Sequence, residues 1–136
     1  MKKKIFDAKL ADLSNMIKWI RSNIQLKKID EKQVKKIELA CEEALVNIIS
    51  YAYPEEKGKI QINIDLSKDK RIEITIIDQG ILFNPLLEER EINPDIPLEE
   101  RSIGGLGIVM IKQVMDEVHY NRQNSSNVLR LIKKNY

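Results

Sequence analysis

The chain has 136 residues, 43% of them hydrophobic and 32% charged, with a formal net charge of +2. That is apolar material for one core and too little chain for two, so a single domain over residues 1–136 is expected. The charge is too small to argue for direct nucleic-acid binding, and no apolar run approaches membrane-crossing length. One cysteine and one histidine exclude an internal disulfide and leave no ligand set for a structural zinc, so Cys41 and His119 read as packing or surface residues.

The start, "MKKKIFDAKLADL", meets Asp7, Lys9 and Asp12 before any apolar stretch develops, unlike a secretory signal, and a cytoplasmic location is the default expectation. "KKIFDAK" has the pattern of a short first strand. Leu13, Ile17, Ile20 and Ile24, spaced by three and four, predict an amphipathic helix. Asp30 is placed to cap a longer helix in which Ile37, Cys41, Ala44, Leu45, Ile48 and Ala52 share a side, with Pro54 and Gly58 as its stop. The lysine pairs Lys27–Lys28 and Lys35–Lys36 read as solvated faces.

"GKIQINIDLS" and "KRIEITIID" alternate apolar and polar residues around a "KDK" turn, which predicts an antiparallel hairpin with one wet face. From Gly80 to Ile103 no period is sustained, and Pro85, Pro94 and Pro97 lie among acidic residues. We expect a long loop there, with one helical turn near Leu86 to Arg90; loops of this length are usually functional or mobile. A glycine-headed helix to about Met115 follows, then a strand near "EVHYNRQ", a turn at "NSS" and a last strand "NVLRLIKK". This order predicts an α+β fold, a two-layer sandwich with helices on one face of a mainly antiparallel, mixed sheet. It argues against a dinucleotide-binding fold, whose glycine fingerprint follows the first strand.

Three stretches carry candidate chemistry. In "ACEEALVNIISYAY", Glu43 and Asn47 are four residues apart and emerge from one side of the helix near the margin of its apolar stripe, while Glu42 points elsewhere. Such a pair suits an amide oxygen on a hard cation and a carboxylate that takes a proton; an ordinary exposed pair is the alternative. In "ITIIDQGILFNP", Asp78 comes where the apolar alternation ends and Gly80 follows, an arrangement fit either for reading an exocyclic amine or for a simple turn. In "RSIGGLGIVMIKQVMDEV", Gly104, Gly105 and Gly107 head a helix. They suit either a tight turn or bare backbone N–H groups that receive phosphate.

Together, E-x-x-x-N on a helix, D-x-G at a strand end and G-G-x-G at a helix start occur in an order that resembles the GHKL superfamily of ATP-binding domains, shared by histidine kinases and gyrase. Within it the chain looks most like the small anti-sigma-factor serine/threonine protein kinases. "EEALVNIISYAYP", "DQGILFNP", "GGLGIVMIKQVMDEV" and the closing "NVLRLIKK" are similar to that family's segments and span most of residues 38–134.

The resemblance implies a histidine-kinase-type ATP-binding fold using ATP and Mg²⁺. By position, Asn47 would coordinate Mg²⁺ bridging the phosphates and Glu43 would be the general base for a serine hydroxyl. Asp78 would receive the adenine amino group and Gly80 would permit the base to approach. Gly104, Gly105, Leu106 and Gly107 would lie against the phosphates, and residues from about 86 to 103 would form the ATP lid. The implied partners are a small anti-anti-sigma antagonist, which is phosphorylated, and a sigma factor, which is sequestered; a homodimer is also implied. A nucleotide-dependent binding switch without phosphotransfer and an interaction module that has lost ATP are the rival readings. Two positions depart from the family: Tyr51 stands where a histidine is frequent, and Ser126-Asn127 replaces Gly-Thr.

Overall fold

Strand alternation and helix periodicity divide the chain into two layers. The computed structural model describes residues 1–53, 58–86 and 104–136, with backbone only for 104–107. The first strand, β1, runs Lys2–Asp7, and a 3₁₀ turn at Leu10–Asp12 leads into helix α1, Leu13–Ile24. Helix α2, Glu31–Asn47, continues without a break into a π-helical segment, Ile48–Ala52. Strands β2, Lys59–Asp65, and β3, Arg71–Asp78, form the expected hairpin. Helix α3, Gly104–Val114, is followed by β4, Glu117–Gln123, and β5, Ser126–Lys134.

Helix α2 starts where the sequence predicts, because Asp30 accepts a hydrogen bond from Lys32 N at 2.9 Å. Such a cap contributes about 1 kcal/mol. The predicted stripe of Ile37, Cys41, Ala44, Leu45, Ile48 and Ala52 is buried throughout. In α1 the fully buried residues are Met16, Ile20 and Ile24, while Leu13 and Ile17 are partly exposed.

The sheet order is β1-β2-β3-β5-β4, and every pairing is antiparallel. It is therefore antiparallel among the described residues, not mixed. The reason lies in the last hairpin: β3 and β4 run in the same direction, as a crossover through α3 demands, but β5 sits between them and pairs with both. The β4–β5 hairpin turns on Asn124 and Ser125, with φ of 48° and 64°. Two successive left-handed residues give a turn whose twist matches the strands it joins.

The inward side of the sheet carries Ile60, Ile62 and Ile64 from β2, Ile72, Ile74 and Ile76 from β3, and Leu129 and Leu131 from β5, all buried against the helices. Each such side chain contributes roughly 2–3 kcal/mol when removed from water. β-Branched isoleucine suits both the pleated backbone and the core. The same inward parity continues to Asp78 and Asn127, which face each other in the β3–β5 register. Two polar residues thus end an otherwise apolar face. No helix among the described residues is long and apolar enough to cross a membrane.

Candidate functional site

Helix α2 brings Glu43 and Asn47 to its last turn, as their spacing predicts. Asn47 is 4% exposed; Glu43 lies at the margin, and its Oε2 is buried without a hydrogen-bond partner among the described residues. Burial, and secondarily the neighbouring charge of Glu42, pushes the Glu43 carboxyl above its ordinary value. A carboxylate oxygen left like this costs about 1–3 kcal/mol until a donor meets it. The group is poised to accept a proton.

The π-helical segment reaches from Asn47 toward the end of β3. Wider turns of this kind are frequent at functional sites. Here the Ala52 carbonyl accepts from Ile81 N at 2.9 Å. A Cβ on Gly80 would stand 2.2 Å from that same oxygen, and no described glycine has a positive φ. Close packing, not a left-handed backbone, therefore demands glycine at 80. Tyr51, from the same segment, stacks on Phe83 with centroids 5.3 Å apart and planes at 29°. Tyr53 closes the corner: its hydroxyl accepts from Gln79 N at 2.7 Å and donates to the Lys59 carbonyl at 2.8 Å.

Asp78 is 2% exposed, and its Oδ1 accepts from Gly80 N and from Asn127 Nδ2, both at 2.9 Å. Burial pushes its carboxyl up, opposed by these two hydrogen bonds and by the charge of Arg122. Arg122 also donates to the Gly80 carbonyl at 2.9 Å. A buried carboxylate with an organised backbone beside it can receive an amine.

Helix α3 begins at Gly104, so the three glycines occupy its first turn, where backbone N–H groups lack helical partners. Its far end is fixed, since Lys133 Nζ donates to the Val114 carbonyl at 2.8 Å. A groove of about 310 Å³ between Gln33, Lys36 and Leu39 of α2 and Met110, Gln113 and Val114 of α3 sets the start of α2 beside the end of α3. The Leu106 side chain lies outside the described residues. Of the expected lid, about 86 to 103, and of the helical turn predicted near Leu86 to Arg90, all but Leu86 lies outside the described residues.

The site also contains residues that sequence reasoning did not single out: Tyr53, Tyr120 and Arg122. The Tyr120 hydroxyl donates to Asn127 Oδ1. Asn127 was visible only as a departure from a family pattern; counting parity back along β5 puts it on the inward face, and the β3–β5 register sets it opposite Asp78.

An acid–amide pair on one helix, a buried carboxylate at a strand end and a glycine-headed helix on a two-layer α+β frame define a histidine kinase-like ATPase domain. The chain belongs to that family, whose pattern matches residues 6–133. It is similar to the serine-protein kinase RsbW of Bacillus mycoides (strain KBAB4), with 34% identity over 96 residues, which is 68% of this chain and 59% of that protein. The serine-protein kinase RsbW of Bacillus subtilis (strain 168) is 31% identical over 100 residues, 71% of this chain and 61% of its own length. The chain therefore spans about three fifths of these relatives. The Erythrobacter litoralis EL346 blue-light activated histidine kinase shares the fold, with a TM-score of 0.57 at 16% identity, over 78% of this chain and 31% of that one.

Proposed function

We propose that the protein is an ATP- and Mg²⁺-dependent serine/threonine protein kinase that phosphorylates a small anti-anti-sigma antagonist and, as an anti-sigma factor, sequesters a sigma factor. The observation that carries the reading is the buried Glu43 Oε2, without a hydrogen-bond partner among the described residues and raised in proton affinity by burial, one helical turn from the buried Asn47 amide. The named relatives, both serine-protein kinases, support the same class of activity.

In this reading Asp78 receives the adenine amino group and Gly80 leaves room for the base. Asn47 would hold Mg²⁺, which supplies charge neutralisation at the phosphates. Gly104, Gly105, Leu106 and Gly107 present backbone to the phosphates at a helix start, where the dipole favours anions. Glu43 takes the proton of the substrate hydroxyl as its oxygen bonds to the γ-phosphorus; the bond to the β-phosphate oxygen breaks and ADP leaves. Residues from about 86 to 103 close over the nucleotide. A cytoplasmic homodimer acting through the partner switch completes the proposal: phosphorylated antagonist leaves sigma bound, and unphosphorylated antagonist displaces it.

The test is incubation of the chain with γ-labelled ATP, Mg²⁺ and candidate antagonists. Label on a serine or threonine of a partner is expected. Saturable ATP binding with no transferred label to any cognate partner would leave a nucleotide switch in place of a kinase, and no saturable binding would remove the ATP reading altogether.

A further inference from the structure

Asn127 ends the inward row of β5, directly across from Asp78, and is 4% exposed. Its Nδ2 donates to Asp78 Oδ1 at 2.9 Å and to the Ile81 carbonyl at 2.8 Å. Its Oδ1 accepts from Phe83 N at 3.3 Å and from the Tyr120 hydroxyl. An asparagine amide offers two donors and two acceptor lone pairs. All four are consumed inside the protein.

Asp78 is arranged in the opposite way. Both hydrogen bonds it receives from described residues fall on Oδ1, so Oδ2 is the oxygen left to face a ligand. We propose that Asn127 is a positioning and specificity residue: it aims Asp78 Oδ2 at the 6-amino group of a purine and itself touches no atom of the base. This rests on the ATP reading of the site.

The consequence is chemical selection through one carboxylate. While ionised, Asp78 can only accept, so it welcomes a 6-amino purine and repels a 6-oxo purine; turned or protonated, it tolerates both. Asn127 from β5 and Gly80 from the loop after β3 hold it by hydrogen bonds. Among the described residues, the charged and titratable groups around it are Arg122 and Tyr120 from β4 and Tyr53 from the end of the π-helical segment. Of these, the guanidinium favours the ionised form, and the phenols are neutral at physiological pH.

The experiment measures binding of ATP and of inosine triphosphate to the whole chain with Mg²⁺, at ~pH 6 and ~pH 8. The wild type is expected to favour ATP at both. Asn127→Val should lose about tenfold in ATP affinity, with most of the preference over inosine triphosphate gone and the loss larger at the lower pH. Asn127→Thr, whose hydroxyl can donate to Asp78, should recover most of the preference. Wild-type discrimination in Asn127→Val at both pH values overturns the proposal.

An NMR measurement on the wild type serves even where a variant does not fold. The Asn127 side-chain amide protons should exchange slowly and keep their shifts when ATP is added. A cross-relaxation contact from them to the adenine ring overturns the proposal while leaving the ATP reading intact. Absence of saturable ATP binding by the wild type overturns both.

Discussion

Gly80 lies so close to Ala52 that a single added methyl would stand 2.2 Å from the Ala52 carbonyl oxygen, which itself holds Ile81 N at 2.9 Å. The end of the π-helical segment and the start of the loop after β3 are thereby locked together. Gly80→Ala must push one backbone off the other. We expect a loss of about 2 kcal/mol or more in stability, read by denaturant unfolding. ATP binding should weaken with it, because Asp78 is held by Gly80 N. An unchanged unfolding midpoint would show that the contact is not rigid.

Glu43→Gln keeps the shape of the side chain and removes its ability to take a proton. Phosphotransfer to a partner should fall by about a hundredfold or more, while the dissociation constant for ATP should stay within about threefold of the wild type. Full transfer by the variant would reassign the base.

The same residue has a stability signature. Burial raises the folded-state pKa of Glu43 above the ordinary 4.5. The folded state then binds more protons than the unfolded one as pH rises from about 4.5, so this carboxyl costs the fold more as pH climbs through its folded pKa. Glu43→Gln should therefore be more stable than the wild type at neutral pH, and the gap should close as pH falls toward the ordinary carboxylate value. Thermal unfolding across that range checks it; a gap that widens in acid would reverse the sign of the argument.

Tyr53 joins three places at once, with its hydroxyl between Gln79 N and the Lys59 carbonyl and its ring where a Cβ on Gly58 would stand 2.1 Å away. Tyr53→Phe leaves the ring and deletes the hydroxyl. The expected cost is about 1–3 kcal/mol, with faster hydrogen exchange at the Gln79 amide. Unaltered exchange there would mean that water replaces the hydroxyl without loss.

Cys41 is fully buried, and burial pushes its thiol up to about 12. A thiol-specific reagent should label it only in denaturant, since the thiolate is the reactive form. Rapid labelling of the native chain near neutral pH would show that α2 opens locally.

Local pattern carried much of the architecture. The Asp30 cap and the apolar stripe of α2 depend on spacing within one helix, and both are found as read. The hairpin of β2 and β3 depends on alternation and a short turn, and it too is present. The antiparallel pairing of the whole sheet was less legible. The element order shows that β3 and β4 run alike, but not that β5 inserts between them. At the site, Glu43 and Asn47 stood out by their four-residue spacing at the margin of an apolar stripe, and Asp78 because it ends an apolar alternation. Tyr53, Tyr120 and Arg122 did not, because an isolated tyrosine or arginine interrupts nothing.

What the sequence determined by itself is therefore what neighbours along the chain can enforce: two amphipathic helices, alternating strands, and polar side chains at the ends of apolar runs. Gly80 in the same way marked a position where backbone comes close to something. Only the tertiary structure decided what. At Gly80 it is the Ala52 carbonyl, and at Asp78 it is an asparagine 49 residues away, whose four hydrogen-bonding positions are all used within the protein. Those partners depend on strand register and on the turn by which α2 widens at its end, and both are settled by packing across the layers and not by any local run of residues.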